Sequence, residues 1–427
     1  MTTSFIMCVV AVVFASVNRR AVAFTAPKYA PAAGRMLATS TQRCLRVNRR
    51  AVAFTAPKYA PAAGRMLATS TQRWMSANTG DDLASSISRL STLQTLLSRA
   101  GAPGSRGCTK PDGDLVPVQQ RAEETLGLHP HLYPLAKSTA TGNYICALKR
   151  AYADDEPMYE SSTNAPLPIV EAELHGPGMK LLSLNSEHLM RRIAATADDG
   201  GRTPDDDETI AIYNDGLGEG KLGDAGLDTP YECGSVEQLG YGLDKFALLR
   251  IGPFPDLYEA MSLGHQAKGD EQSSLIAAEA SNGKFTGFGS TFAFYAKLLS
   301  TFPQRMEEAR DAARMCLRLP IPSAGMDSGD FAEIAHLAEL ADEDDTPEEA
   351  MAKMLEFYQK IRDHEKEEGD QNQGSMTPEQ AAIDEANYLL DRTALTGGQW
   401  ESIREELAGI YKEAGREDMA EFCNPDL

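Results

Sequence analysis

Residues Gly218–Gly223 (GEGKLG) match the G-x-G-x-x-G pattern with which glycine-rich loops bind dinucleotides. Such a site needs a strand before the loop and a helix that starts within it, because backbone N–H groups at the helix N-terminus bind the pyrophosphate. A short strand could precede the loop at Ile210–Tyr213, but the following Asp224–Pro230 contains a glycine and a proline and cannot begin a proper helix. We therefore interpret the pattern as a glycine-rich loop and predict no cofactor.

Histidines and acidic runs supply the side chains that could bind a metal ion. His129 and His131 are close in sequence, but no further ligands follow at metal spacing, and the HExxH and CxxC patterns are absent. The acidic runs are Asp205–Glu208 and Asp342–Asp345. An EF-hand needs a glycine at its sixth position, where the second run has Pro347. We therefore predict no metal site, and we interpret the histidines as surface-loop residues.

The segment Leu239–Ala267 concentrates aromatic and charged residues and is interrupted by Gly252, Pro253 and Pro255. Aromatic side chains beside a few charges can line a ligand pocket or form the centre of an interface. The simpler interpretation is a junction at which a mixed α/β region packs on a helical domain. The candidate ligand or interface residues are Tyr241, Asp244, Lys245, Phe246, Arg250, Asp256 and Tyr258.

The N-terminal 80 residues differ in charge from the rest of the chain. They contain eleven Lys and Arg and no Asp or Glu, whereas the remaining 347 residues contain 30 basic and 62 acidic residues. A folded domain does not need such a split, but a targeting presequence does. Phe5–Val17 is an apolar run with the length of a signal-peptide core, too short to cross a bilayer. Ala21–Ala23 then offers the small residues that a signal peptidase accommodates.

Phe24 follows these small residues and begins an acid-free segment rich in Ala, Thr, Ser and Arg, which is the composition of a transit peptide. A signal peptide joined in this way to a transit peptide resembles the bipartite plastid leaders of diatoms and related algae. The resemblance covers only the leader, and it implies a location in the plastid stroma or at the stromal face of the thylakoids. An ordinary secretory signal is the alternative.

The leader contains an exact duplication, in which Val17–Arg43 recurs as Val47–Arg73. Structural repeats diverge while they keep their apolar positions, and two copies rich in Pro, Ala, Ser and Thr cannot bury a core. The duplication is therefore either a recent event or a gene-model error. In both cases we expect residues 1–76 to be a disordered presequence outside the fold.

The chain beyond the leader is strongly acidic, since 30 basic against 62 acidic residues leave a formal net charge of −32. Binding to nucleic acids or anionic membranes needs surplus cations, so we predict neither. No later stretch is apolar enough to span a bilayer, which predicts that the mature protein is not an integral membrane protein. Its five scattered cysteines indicate unpaired thiols in a reducing compartment.

Strand and helix patterns follow each other in the middle of the chain. Short strands are predicted at Tyr144–Leu148, Ile169–Leu174 and Met179–Leu184, before a helix that Asn185 or Ser186 caps. The acidic, Gly-rich segment 198–234 is interpreted as a loop.

Helical periodicity dominates after Tyr241. Thr346-Pro347 and Thr377-Pro378 start capping boxes, each with a proline at the first helical position. The last long helix is expected to bury Trp400, Ile403, Leu407 and Ile410. Residues 292–320 (FAFYAKLLSTFPQRMEEARDAARMCLRLP) resemble one tetratricopeptide hairpin, although no 34-residue period continues it.

These patterns predict a mainly α protein, with a small α+β N-terminal segment before an all-α domain of antiparallel helical hairpins. The predicted boundaries are 1–76 for the presequence, 77–116 for a helix and flexible linker, 117–235 for the α+β segment and 240–427 for the helical domain.

The sequence contains no nucleophile elbow, no P-loop and no distinctive Cys–His pair, so we predict no catalytic residues. Helical hairpins and an acidic surface favour a non-enzymatic interaction or assembly factor that serves a plastid complex, such as a photosynthetic one. The alternative is a plastid enzyme or small-ligand-binding protein with a site near residues 241–280. A deep pocket with converging polar groups would favour the enzyme, whereas an exposed apolar patch would favour the assembly factor.

Overall fold

The computed structural model describes residues 80–105, 115–118, 123–151, 167–200, 202–217, 229–371 and 377–424. The predicted presequence, its duplication and the glycine-rich motif Gly218–Gly223 lie outside the described residues. Within them, the prediction of a mainly α protein with a small α+β N-terminal part is confirmed.

The N-terminal part contains a five-stranded antiparallel sheet in the order β1-β2-β3-β4-β5. Its strands are β1 (Leu115–Pro117), β2 (Leu132–Ser138), β3 (Tyr144–Leu148), β4 (Ile169–Ala172) and β5 (Met179–Ser183). The three strands that the sequence predicts are thus present, and two more precede them. The sequence pattern of β2 is broken by Pro134, which lies where the pairing with β3 shifts register, as is typical of a proline within a sheet.

Both faces of the sheet are buried, and alternate residues of β3 show this directly. Ile145 and Ala147 belong to one core cluster, with leucines of the helices on that side. Tyr144, Cys146 and Leu148 belong to another, which also contains Phe285 and Phe288 from the helical region. A strand buried on both faces is apolar at every position, which explains the continuous apolar run YICAL.

Three helices accompany the sheet: α1 (Gly80–Ala100), α2 (Ser186–Asp198) and α3 (Pro204–Leu217). Asn185 caps α2 by accepting hydrogen bonds from the backbone N–H groups of Glu187 and His188, as predicted. The interpretation of residues 198–234 as a loop is wrong at α3. Thr203 and Asp206 exchange capping hydrogen bonds at its start. The acidic residues of the first turn also stabilise the helix, because they lie at the positive end of its dipole.

The rest of the described chain is helical. The helices, in chain order, are α4 (Ser235–Leu239), α5 (Leu243–Arg250), α6 (Pro255–Gln266), α7 (Glu271–Lys284), α8 (Ser290–Ser300), α9 (Met306–Cys316), α10 (Ser328–Leu337), α11 (Pro347–Gln371), α12 (Pro378–Leu395), α13 (Arg404–Glu413) and α14 (Glu417–Cys423). At both predicted capping boxes, the threonine side chain accepts a hydrogen bond from a backbone N–H of the first helical turn. Thr346 and Glu349 exchange hydrogen bonds at the start of α11, and Thr377 accepts one from the N–H of Gln380.

The helical core closes around the C-terminal helices. Trp400, Ile403 and Leu407 are buried, Leu407 completely, and Ile410 packs partly buried against the same cluster. The predicted inward face is therefore confirmed. Among the described residues, no helix is both long enough and apolar enough to cross a membrane.

A short turn covers the outer edge of the sheet where it meets the helices. The 3₁₀ turn Ile321–Ala324 leads to Gly325, whose φ of +61° is left-handed. A Cβ at Gly325 would lie 2.9 Å from the carbonyl oxygen of Met179 on β5. The close approach therefore requires glycine, and it shields β5 from pairing with another strand.

Candidate interaction surface

The candidate residues between Tyr241 and Tyr258 fall into a packed group and an exposed group. Phe246 on α5 is buried against Tyr231, with ring centroids 6.3 Å apart in an edge-to-face arrangement. Tyr258 on α6 packs in the same way on Phe285, at 6.0 Å, and burial raises the pKa of its hydroxyl. Phe246 belongs to the core cluster that contains Ile145 and Ala147 of β3, and Tyr258 packs against the cluster that contains other strand residues together with Phe285.

Asp256 also belongs to the packed group. Its carboxylate accepts two hydrogen bonds from the guanidinium of Arg192 on α2, at 2.8 and 2.6 Å. Arg192 also stacks over the ring of Phe254, 4.5 Å from its centroid. Gly104 approaches the same carboxylate so closely that a Cβ would lie 3.0 Å from its carboxyl carbon. The planar, bidentate pair fastens α6 to α2, which is a structural role.

The exposed group forms one face of α5. Tyr241, just before the helix, is 64% exposed, and Leu249 is 66% exposed. Lys245 lies between them in sequence at intervals of four residues, with its Nζ 5.6 Å from the centroid of the Tyr241 ring. We call Tyr241, Lys245 and Leu249 the α5 face. The sequence reasoning missed Leu249, which the spacing of four from Lys245 could have indicated.

The remaining two candidates flank this face without completing a site. Asp244 is exposed beside Lys245, whereas Arg250 is exposed at the end of the helix. At about 100° per residue, Arg250 lies about 140° around the helix axis from Lys245. The cations are thus not brought together, and the α5 face is a convex surface suited to contact with another macromolecule.

A small cavity lies elsewhere, between the β4–β5 turn and the helical region. Its volume is about 10 Å³, and its lining includes Pro177, Ile321, Phe331 and Leu395. That is room for about one water molecule, far below the volume of a substrate pocket.

His129 and His131 are buried, so their interpretation as surface-loop residues is wrong. Nε2 of His131 lies 2.7 Å from the hydroxyl of Tyr411, and the His129 ring packs edge-on against Trp400 at 4.6 Å. Burial lowers the pKa of both imidazoles, assisted by the nearby Arg404 and, for His131, Lys149; the pKa of His131 falls to about 3. Both histidines are therefore neutral at physiological pH.

Arg404 completes this junction between the sheet region and the C-terminal helices. Its guanidinium donates hydrogen bonds to the carbonyl oxygens of Leu126, Leu128 and Cys423, at 2.7 to 3.0 Å. Trp400 donates its indole N–H to the carbonyl of Gly176 at 2.9 Å. The sequence offers no local signal for the contacts with Gly176, Leu126 and Leu128, because these partners lie more than 200 residues from Trp400 or Arg404.

The acidic run Asp342–Asp345 is held by a lysine. Nζ of Lys353 lies 2.7 Å from Asp342 and 2.6 Å from Asp345, and its hydrogen bonds to Asp342 and Asp345 raise the pKa of Lys353. Across the described residues, no group of three or more His, Cys, Asp or Glu is placed to hold a metal ion.

Two family models match the helical region of the chain. The family model described as the PAB middle domain matches residues 255–341, and the one described as the PAB C-terminal domain matches residues 354–426. These matches cover α6 to α10, α11 from residue 354 onward, and α12 to α14. No solved structure matches the chain.

A relative from Arabidopsis thaliana is similar over a longer range. It is the chloroplastic protein called "Protein IN CHLOROPLAST ATPASE BIOGENESIS", and it is 29% identical to this chain over 321 residues. The similarity covers 72% of this chain and 84% of the relative. The likeness therefore extends beyond the two matched domains, and it involves a protein named for the biogenesis of the chloroplast ATPase.

Proposed function

We propose that this protein is a non-enzymatic assembly factor of the plastid that serves the biogenesis of the chloroplast ATPase. The observation that carries the proposal is the 321-residue similarity to a chloroplastic protein named for that process. Matches to both PAB domain models, over residues 255–341 and 354–426, add support from the helical region.

The form of the surface supports an interaction role. Tyr241 and Leu249 are among the most exposed large apolar side chains, and they lie on one convex helix face with Lys245. Exposed apolar groups next to a charge are typical of contact sites between proteins. Asp244, Lys245 and Arg250, from which the alternative would build a ligand site, are all exposed. The neighbouring candidates Phe246, Asp256 and Tyr258 are engaged in packing and in an ion pair.

The proposed location is the plastid stroma, including the stromal face of the thylakoids. The acid-free leader and the chloroplastic location in the relative's name support it. The proposed partner is accordingly a subunit or an assembly intermediate of the ATPase.

Deletion of the gene tests the proposal. We expect the amount of assembled chloroplast ATPase, measured by native gel electrophoresis and immunoblotting of its subunits, to fall several-fold, while the photosystems keep their normal amounts. Re-expression of the wild-type chain should restore the ATPase. A deletion strain with a normal ATPase content would contradict the proposal, and an equal loss of all thylakoid complexes would show a general defect instead.

A further inference from the structure

A second surface lies on three consecutive helices of the helical region, α7, α8 and α9. Helix α8 packs against both of its neighbours. Tyr295 of α8 is partly buried between them, close to Glu279 of α7 and Glu308 of α9. Burial and, to a smaller extent, the charges of Glu279 and Glu308 raise the pKa of the Tyr295 hydroxyl to about 12, although the charge of Arg305 acts in the opposite direction. Acids from the two neighbouring helices thus both lie near this hydroxyl.

The same surface contains apolar and further acidic side chains. Phe292 precedes Tyr295 by one turn of α8 and is also partly buried. Ile276 precedes Glu279 by one turn of α7 and is 54% exposed. Asp311 follows Glu308 by one turn of α9 and is exposed. We call Ile276, Glu279, Phe292, Tyr295, Glu308 and Asp311 the acidic groove.

The charge of the acidic groove remains negative after its own ion pairs are counted. Arg305 is a cation at this surface, and it pairs with Glu308 at 2.8 Å and with Glu271 at 3.2 Å. One cation therefore faces two carboxylates in that cluster, and Glu279 and Asp311 add two more exposed carboxylates. The surrounding chain, at −32 beyond the leader, strengthens the negative potential.

We infer that the acidic groove docks a basic amphipathic helix of the client protein, an inference that rests on the proposed assembly function. The apolar side of such a helix covers Ile276, Phe292 and Tyr295, and its Lys or Arg residues meet Glu279, Glu308 and Asp311. Opposite charges across the contact steer association and select against acidic partners. An amphipathic helix presents apolar and basic residues at the spacing that a groove between helices receives.

Peptide binding to the protein, isolated from its own cells, tests the inference. The probes are three labelled peptides of about 20 residues, long enough to form helices: an amphipathic Leu/Lys peptide, an amphipathic Leu/Glu peptide and a Ser/Lys peptide with the same positive charge but no apolar side. We expect fluorescence anisotropy to show binding of the Leu/Lys peptide alone, weakened by added salt because the carboxylates are exposed. Binding of the Leu/Glu peptide, or of no peptide, would overturn the inference.

Two double variants distinguish the effect of the acidic groove on peptide binding from the effect of the protein's net charge. Glu279→Gln with Glu308→Gln should weaken binding of the Leu/Lys peptide by about tenfold or more, since it removes charges at the contact. Glu343→Gln with Asp344→Asn removes the same charge from an exposed loop elsewhere and should leave binding unchanged. Equal weakening by both variants would show a non-specific effect of net charge and would overturn the inference. Ile276→Ser, which changes no charge, should weaken binding as well.

Two further measurements separate the other outcomes. If sedimentation shows a dimer that the groove variants dissociate, the occupant is a second copy of the chain and the inference is wrong. The variants are also returned to the deletion strain. A normal amount of ATPase in the deletion strain before rescue refutes the proposed function. If the strain lacks ATPase and the double variant Glu279→Gln with Glu308→Gln restores it fully, only the docking inference is refuted.

Discussion

At the scale of single residues, the segment between Tyr241 and Tyr258 contains packed residues and exposed residues, and its composition alone does not distinguish them. Asp256 binds Arg192 through two hydrogen bonds and lies against a glycine, whereas Lys245 touches only an exposed ring. The first is held by its neighbours on other helices. The second is available to a partner.

Replacement of Arg192, the partner of Asp256, and of Lys245 distinguishes these two roles. Arg192→Met keeps most of the volume but leaves the Asp256 carboxylate without its partner, and we expect the free energy of unfolding to fall by about 3 kcal/mol. Lys245→Met removes an exposed charge and should change the free energy of unfolding by less than about 0.5 kcal/mol. Urea unfolding followed by circular dichroism measures both. Similar losses in the two variants would contradict the assignment of Lys245 to a contact surface.

At the scale of elements, the junction between the sheet and the C-terminal helices depends on buried imidazoles. His131 lies at the start of β2, next to the hydroxyl of Tyr411 on α13, and His129 contacts Trp400. These contacts join elements that are distant in sequence. Protonation of either ring would place a charge beside Arg404 in the interior.

Stability should therefore fall with pH below neutrality. The pKa of His131 is lowered from 6.5 to about 3 in the folded protein, so below pH 6.5 the unfolded chain binds a proton that the folded chain does not. The contribution of His131 is fully present above about pH 6.5 and is lost at about 1.4 kcal/mol per pH unit as the pH falls toward 3. His129 adds a loss of the same sign.

Unfolding free energies measured between neutral pH and mildly acidic pH test this, with His131→Gln as the comparison. Glutamine can still hydrogen bond with Tyr411 but does not titrate, so the variant should lose stability less steeply than the wild type over that range. Identical slopes would show that His131 is accessible to protons in the folded state.

At the scale of the whole molecule, the acidic residues are divided unevenly along the chain. The first 80 residues contain no acid, and the remainder contains 62. Asp81, the first acidic residue, lies at the beginning of α1. The change in composition thus falls at the beginning of α1.

The proposed plastid import predicts where the mature protein begins. We expect the N-terminus of the protein purified from plastids to lie between about Arg73 and Asp81, because the composition of a transit peptide ends there. Terminal sequencing by mass spectrometry measures this directly. Retention of residues 24–70 would contradict a stromal location. A fluorescent fusion with Phe24→Ala and Phe54→Ala should remain outside the stroma, and unchanged import would contradict the bipartite leader.

Much of the secondary structure could be predicted from the sequence because its signals are local. Capping residues such as Asn185, Thr346 and Thr377 act within one helical turn. The burial of β3 on both faces is likewise evident from its own five residues, which form a continuous run of apolar side chains. The prediction is wrong at two elements: Pro134 interrupts the strand pattern of β2, and the acidic, Gly-rich composition of residues 198–234 predicts a loop where α3 forms.

The roles of the polar residues were decided by the tertiary structure. The residues next to His129 in the sequence do not show whether its ring lies in solvent or against Trp400. Likewise, Asp256 and Arg192 are 64 residues apart in sequence, and they pair only because their two helices meet in the fold. The acidic groove likewise exists only because α7 and α9 flank α8. Sequence patterns determine which side of a helix is apolar, since that depends on spacing along the chain. Which helix covers it, and which side chain is left exposed, depends on long-range packing that spacing does not encode.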